Sequence, residues 1–580
     1  MDSYVECAGG CVVTAAKGEH RGQAWYRTAA GMNHWPWAVW ALGLSFVLGG
    51  LWACGDSPRR GIADAGHPED ASDVGDAQQG SDAGGTDASR ADGRARDGGG
   101  LDAAGDAATE SDAATGPDAA GDFDAAVFCE ELDRPNELIA DRRFRRGFIP
   151  LDQDTGQPEG SMPSGLCPGD PIWDIAQWDS LGDLSQATRQ TLASGAIRWE
   201  NQYGRITVGL FQTEEADLAM AVWAYQEYGG QYHTPTPDRK WVHLLAEQRI
   251  SPPGVTRPGC PPLSSLASLD FYLVAKLLQD DPHYQAGYDS SKHAAQFLIY
   301  FTVQNLNQNS PGFGDYLWFG ITPYDDRYDI VPLYVQGDLG GEMGTGKLIY
   351  NLGGEPFLTE GLTAGGPAQV FAKDILPDIR QALLVAWDRG YLPDSHVLSD
   401  YRIGGMNIGW EVPGLNDVEM LVRDLSLSYR EKPVTAVRFG FDTDGDAEGW
   451  TAHNMTDLGG AGPEGGLWIL QVPGADPYFV SPELDLDAAT HPTLHLVVAN
   501  DHNPAGQSRL QVYWDRFGEP GFREAWSVSV PISNGGGWQT LDIDMSGHPE
   551  WRGEIAHVRI DPILGGDGHS VGIDEVAFTP

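Results

Sequence analysis

Between residues 240 and 430 apolar and polar positions alternate with a period of two. The runs are KWVHLLAEQRI, HAAQFLIYFTVQN, GDYLWFGITPY and DVEMLVRDLSLSY, separated by Gly, Pro, Asn and Asp clusters. Such runs, bounded by turn residues, predict strands. In the second run Phe297, Ile299, Phe301 and Val303 make one continuous apolar face, while Gln296, Leu298, Tyr300, Thr302 and Gln304 make the other, mostly polar one. A sheet that buries one face and keeps polar groups with an aromatic on the other predicts a β-sandwich with a groove. One stretch has a different period. LPDIRQALLVAWDRGYL puts Ile379, Ala382, Leu383, Ala386 and Trp387 on one stripe, with Asp378 near its start and Gly390 just past its end. It predicts a helix packed on the outside of the sandwich.

The segment 436–580 has another texture. TLHLVVAN, RLQVYWDRF, WSVSVPI, WQTLDIDM and IAHVRIDP read as the short strands of a second sandwich. The fold class is therefore mainly β, with two β-sandwich (jelly-roll-like) domains at 125–430 and 436–580. They follow a signal and lipobox region, 1–54, and a disordered linker, 55–124.

The linker is nearly all Asp, Ala, Gly and Ser, as in GSDAGGTDASRADG. It has too few apolar residues to offset the entropy of ordering, and its like charges extend it into a tether. Before it, WPWAVWALGLSFVLGGLWAC has the length of a signal-peptide core; an uncleaved membrane anchor is the alternative. The basic flank, Lys17, Arg21 and Arg27, belongs to the leader only if translation starts at Met1 and not at Met32. Leu51-Trp52-Ala53-Cys54 resembles the lipobox of bacterial lipoproteins. The resemblance implies that Cys54 carries lipid and that the body is exported, anchored to the outer membrane or cell surface. Gly55 resembles the outer-membrane pattern, where an aspartate would signal inner-membrane retention.

Charge narrows the partners. With 37 basic against 83 acidic residues and a net charge of -46, the chain repels nucleic acid and anionic lipid. Membrane contact is expected through the lipid anchor only. GGEMGTGKLIYN carries the letters of a phosphate loop at Gly341, Gly346 and Lys347. However, Leu348 offers no hydroxyl for magnesium, and LIYNLGG reads as a strand where a helix is required. A glycine-rich turn between strands, without nucleotide, is the reading. Of six cysteines, Cys7 and Cys11 precede the cleavage site and Cys54 is the lipid position. Cys129, Cys167 and Cys260 remain, and one disulfide is expected, between Cys167 and Cys260 in their Pro/Gly-rich loops. No G-x-S-x-G elbow is found in the folded parts, and no Cys/His pair has zinc spacing.

Alternation also gathers candidate chemistry. Trp241, His243, Glu247 and Arg249 share one side of a strand, and Asn407 and Glu411 share another, opposite Ile408 and Trp410. Glu247, Tyr300, Gln304 and Glu411 are then presented across neighbouring strands. Two carboxylates flanking a sugar are the minimal set for glycoside hydrolysis. A lyase would use His243 or Tyr300 as base, with Arg249 or Gln304 neutralising a uronate. Solvated acids and structural ion pairs are the competing account. Asp325, Asp326 and Arg327 either orient a substrate or fix a loop. Trp318, Tyr324 and Tyr328 offer stacking surface for a pyranose.

FGFDTDGDAEGW, WRGEIAHVRIDP and VGIDEVAF resemble the jelly-roll, galactose-binding-like modules of secreted carbohydrate-active proteins. The resemblance implies a structural calcium at Asp444, Asp446 or Glu448 with Asp574; solvated acids in a turn are the alternative. No other cofactor is expected. An EF-hand starting at Asp442 is excluded by Ala447 and His453 at its sixth and twelfth positions. The function expected is noncatalytic binding of extracellular polysaccharide. A polysaccharide-degrading hydrolase or lyase in 125–430 and an envelope-structural or protein-adhesion role are the alternatives.

Overall fold

The computed structural model describes residues 136–580, except 210–215, 237–238, 252–258, 339–343, 459, 461, 503–505 and 567. The expected signal region, Cys54 and the tether lie outside the described residues.

The chain is mainly β. In the first module a nine-stranded sheet packs on a seven-stranded one. Six strands of the larger sheet position the site: β1 (Trp173–Ala176), β2 (Val242–Arg249), β3 (Gln296–Asn305), β4 (Tyr316–Asp325), β5 (Leu348–Asn351) and β6 (Tyr401–Val412). Their order is Tyr334–Gly337, β5, β4, β3, β6, β2, β1, Gly147–Pro150, Met162–Pro163. The predicted apolar face, Phe297, Ile299, Phe301 and Val303, lies in the core with Phe319, Ile408 and Trp410. The Trp410 indole N–H donates to the carbonyl of Met220 in the facing sheet at 2.9 Å, so its one polar atom is satisfied inside the core.

The other face departs from the expected open groove. All ten residues of β3 are buried. Leu298, Tyr300 and Trp318 join Ala176, Trp178, Leu245 and Ile349 in a second apolar cluster on that side. A hollow remains at one end of the sheet.

The predicted helix is α1 (Leu376–Asp388), with Ile379, Ala382, Leu383, Ala386 and Trp387 buried. Pro377 starts it where no amide partner is needed, and Gly390, at φ +79, ends it in the left-handed region. The helix also meets the second module: Trp387, at the edge of the core, packs on Phe517, and Arg380 pairs with Glu554.

The second module is a sandwich of two six-stranded sheets. Its core includes Phe441, Trp450, Trp514, Val558 and Phe578. No helix among the described residues is long and apolar enough to cross a membrane.

One expectation is corrected here. Cys260 is a buried free thiol, while Cys167 is disulfide-bonded, so the two are not partners. Cys260 is packed into the sandwich core, where it behaves as a small apolar side chain. In the second module, among the described residues, no three His, Cys, Asp or Glu side chains converge on a metal position. Asp446 accepts from the Glu448 amide at 2.8 Å within its own turn, and Asp444 accepts from the amide of Gly465, 21 residues on, at 2.8 Å. Asp574 lies on the Ser570–Thr579 strand and joins no such cluster.

Candidate functional site

Register builds the site. Gln296 of β3 stands opposite Asp325 of β4 on one side and Glu411 of β6 on the other, and Glu411 stands opposite His243 of β2. Alternate residues share a face, so these four form a polar row at the strand ends. Two residues further in, Leu298, Gly409, Leu245 and Ala176 form an apolar row. Two further again, Tyr300, Asn407, Glu247 and Asp174 form a second polar row.

Over the first row lies a cavity of about 570 Å³, with Trp241, Gln296, Tyr300, Thr322 and Asn351 among the residues at its base. Its walls come from the chain before β2 (Tyr232–Pro235), the chain before β3 (Gly287–Ala294) and the chain after β4 (Arg327–Tyr334). Tyr232 stacks on His293 with ring centroids 4.0 Å apart. Tyr328, 47% exposed, and Tyr334, 36% exposed, leave ring surface open at the mouth. A site of this size that mixes rings with a few fixed polar groups has the anatomy of a small-ligand pocket.

Charge in the cavity is internally cancelled. Arg327 grips Asp325 with two hydrogen bonds of 2.8 and 2.6 Å, and Lys292 pairs with Asp289 at 3.0 Å. Asn351 donates to the Tyr300 hydroxyl at 2.9 Å and to Thr322 at 2.7 Å, and accepts from the Gly353 amide. Gln296 donates to Asp325 at 2.7 Å, which fixes its orientation and leaves its Oε1 without a partner among the described residues. An acceptor buried beside a cavity is free to take a hydrogen bond from water or from a ligand hydroxyl.

Beneath this base sit Glu411 and His243. His243 Nε2 is 3.6 Å from Glu411 Oε1, too long for a hydrogen bond. Neither carboxyl oxygen and neither ring nitrogen has a hydrogen-bond partner among the described residues. The Trp241 indole lies close enough to favour the Glu411 carboxylate, yet makes no bond of normal geometry. Burial pushes the Glu411 carboxyl up to about 8, Trp241 and Lys240 opposing and Asp338 adding to the rise. Burial pushes His243 down to about 3. At neutral pH the pair is an uncharged acid beside an uncharged imidazole. Asp338 is fully buried, with one oxygen accepting from the Thr345 amide and hydroxyl and the other unpartnered among the described residues.

The remaining predicted residues divide. Trp241 and Tyr328 line the cavity, as do Asp325 and Arg327, whose mutual grip fixes the loop. Glu247 lies in the second polar row, where burial first and Asp174 next raise its carboxyl well above the usual range, and burial lifts Asp174 to about 6. Four residues along adjacent strands separate Glu247 from Glu411, roughly 13 Å of rise. The two stand side by side on one face and do not oppose each other across a groove. Asn407 accepts from the Tyr300 amide at 3.2 Å, and its side-chain NH₂ has no partner among the described residues. Tyr300 is almost wholly buried, and burial raises its hydroxyl too far for a base at neutral pH. Arg249 is exposed at the far end of β2.

Three expected ligand contacts are corrected. Trp318, 2% exposed, is inside the second apolar cluster and offers no stacking face. Tyr324 is in the main core, its hydroxyl donating to Asp280 at 2.6 Å. Gln304 is at the opposite end of β3 and donates to the Gly314 carbonyl. The pattern of strands did not point to Asn351, Tyr232, His293, Tyr334 or Asp338. The signal available was the density of Tyr and His in the interstrand stretches QYHTPTP and HYQAGYDSSKH.

No protein-family model matches the chain, and no curated protein matches it. Solved structures similar to parts of it include endoglucanase Cel12A of Rhodothermus marinus, 10% identical, covering 43% of this chain and 97% of its own, with a TM-score of 0.23. The family 11 carbohydrate-binding module of Lic26A-Cel5E from Clostridium thermocellum is 13% identical over 26% of this chain and 89% of its own, at 0.17. The cleaved adhesin domain K1 of Lys-gingipain from Porphyromonas gingivalis W83 is 14% identical over 25% and 98%, at 0.19. Activity is taken from the site's own residues.

Proposed function

We propose that the first module binds a neutral glycan in the cavity at the end of the nine-stranded sheet. The observation that carries this reading is the combination on one cavity of exposed tyrosines at the mouth, an unpartnered buried amide oxygen on Gln296, and charges that cancel in pairs. Rings suit the apolar face of a pyranose, the amide suits a hydroxyl, and self-neutralised charge gives an anionic sugar no advantage. Titration calorimetry of the chain against a panel of neutral oligosaccharides tests it. Tyr328→Ala, at an exposed position, lowers affinity by about tenfold with Tm unchanged. Equal affinity of variant and parent, or binding to none of the sugars, contradicts the reading.

Glu411 favours a second reading, cleavage of the bound glycan. A carboxyl kept protonated at neutral pH is what a general acid requires, but Glu411 is fully buried and does not line the cavity, so cleavage needs a rearrangement that exposes it. Release of new reducing ends that disappears in Glu411→Gln with binding retained supports cleavage. Binding without product supports the first reading.

A further inference from the structure

We infer that His293 makes ligand binding in the cavity depend on pH: the ligand is held while the ring is neutral and is released when the ring takes up a proton. This rests on the glycan reading above and adds how that site is regulated.

Two histidines among the described residues line the cavity, His233 and His293, and a backbone partner fixes the tautomer of each. His293 Nδ1 lies 2.9 Å from the Asp289 amide nitrogen. An amide N–H only donates, so Nδ1 accepts and the neutral ring carries its proton on Nε2. His233 Nε2 lies 3.2 Å from the Arg239 carbonyl oxygen. A carbonyl only accepts, so here Nε2 donates. Added protons enter both rings at Nδ1. In His233 that leaves the existing bond intact, whereas in His293 it sets one N–H against another and the bond is lost.

The bond that His293 loses belongs to a cavity wall. The Lys292 and His293 amides both donate to the Asp289 carbonyl at 2.9 Å, and the Ser291 amide donates to the Asp289 carboxylate at 3.0 Å. Residues 289 and 293 are thus tied by reciprocal bonds, amide to carbonyl one way and amide to ring the other. The ring is 7% exposed and stacks on Tyr232 of the neighbouring wall at 17° between planes. Three residues on stands Gln296, which offers its amide oxygen to the ligand. Loosening the turn therefore disturbs the ring side and the polar side of the cavity together.

Neighbouring groups do not offset the added charge. Asp289 already pairs with Lys292 and accepts from the Ser291 hydroxyl at 2.6 Å. Arg327, from the wall after β4, donates to the Ser290 carbonyl at 3.3 Å and is itself held by Asp325. Tyr232 and Tyr288 present neutral rings, 4.0 and 6.0 Å away. Burial holds the His293 imidazole below its usual 6.5; Asp289 opposes this and Lys292 adds to it. Binding that needs the neutral ring is level above pH 6.5 and weakens as pH falls below it. Asp326, which accepts from the Ala295 amide and which burial pushes up to about 6, titrates nearby, so variants must separate the two.

The test is titration calorimetry of the full chain with neutral gluco-, manno- and xylo-oligosaccharides at pH 7, 6 and 5. Affinity is expected to fall by at least about threefold from pH 7 to pH 5. In His293→Asn the side-chain oxygen keeps an acceptor near the place of Nδ1 and does not titrate, so the fall is expected to disappear; in His233→Gln it is expected to persist. No fall in the parent, or a fall that survives in His293→Asn, overturns the inference and leaves glycan binding intact. Nitrogen-15 NMR of the histidine-labelled chain gives a second readout without ligand. The signal missing from His293→Asn is expected to report a proton on Nε2 and a midpoint below pH 6.5, and the sugar is expected to lower that midpoint further. A proton on Nδ1, or a midpoint that the bound sugar leaves unchanged, overturns the inference. Binding of no sugar at any pH overturns the glycan reading and this inference with it.

Discussion

Glu411 and His243 make opposite demands on pH. Glu411 has a folded pKa raised to about 8 from an ordinary 4.5, so the folded state holds an extra proton between those values. Its contribution is fully present below pH 4.5 and is lost as pH rises through 8. His243 is depressed from 6.5 to about 3, so the unfolded state takes up the extra proton and stability falls as pH drops from 6.5 towards 3. From 4.5 to 6.5 the two slopes oppose each other; above 6.5 only that of Glu411 remains. In Glu411→Gln the decline in Tm between pH 6.5 and 8 is therefore shallower than in the parent, by at least about 2 °C. Parallel Tm curves for the two proteins over that window would sink this assignment. Sequence alternation correctly set Glu411 and His243 on one face, but alternation carries no information about what covers a face. Trp318 and Tyr328 illustrate this: both read as stacking rings, yet one is sealed and the other is open.

The elements themselves were well written in the sequence. Val242–Arg249, Gln296–Asn305 and Leu376–Asp388 fall where period-two and helical patterns place them. The open groove was not legible, because both faces of β3 are buried and a face of Gln, Leu, Tyr, Thr and Gln reads the same whether it meets water or a second small core. The cavity walls come from interstrand segments that have no period to read. The helix carries a further consequence. Besides filling the sandwich core, α1 turns Trp387 towards Phe517, and Arg380 holds Glu554, which Lys432 also binds at 2.8 Å. Glu554 is buried on its strand, so its charge depends on these cations across the module boundary. Removing the Trp387 side chain costs about 3 kcal/mol and frees the boundary. Calorimetry of Trp387→Ala is expected to resolve two transitions where the parent has one. A single transition at the parent's Tm would show that the helix does not couple the modules.

For the molecule as a whole, the structure sets two sandwiches in contact, with the cavity on the first at the end of its larger sheet. The second module adds its own exposed ring, Trp538 at 46%. Gly572 leaves room for that ring, since a Cβ there would come within 2.8 Å of it. Glycan binding could thus be measured on the whole chain and yet arise outside the cavity, so the location of the sugar is the decisive quantity. The most direct measurement is a crystal structure of the chain with the oligosaccharide that binds it best. The account predicts sugar density in the cavity, with a hydroxyl donating to Gln296 Oε1 and a pyranose face against Tyr328. Sugar bound only on the second module, with the cavity unoccupied, would contradict it.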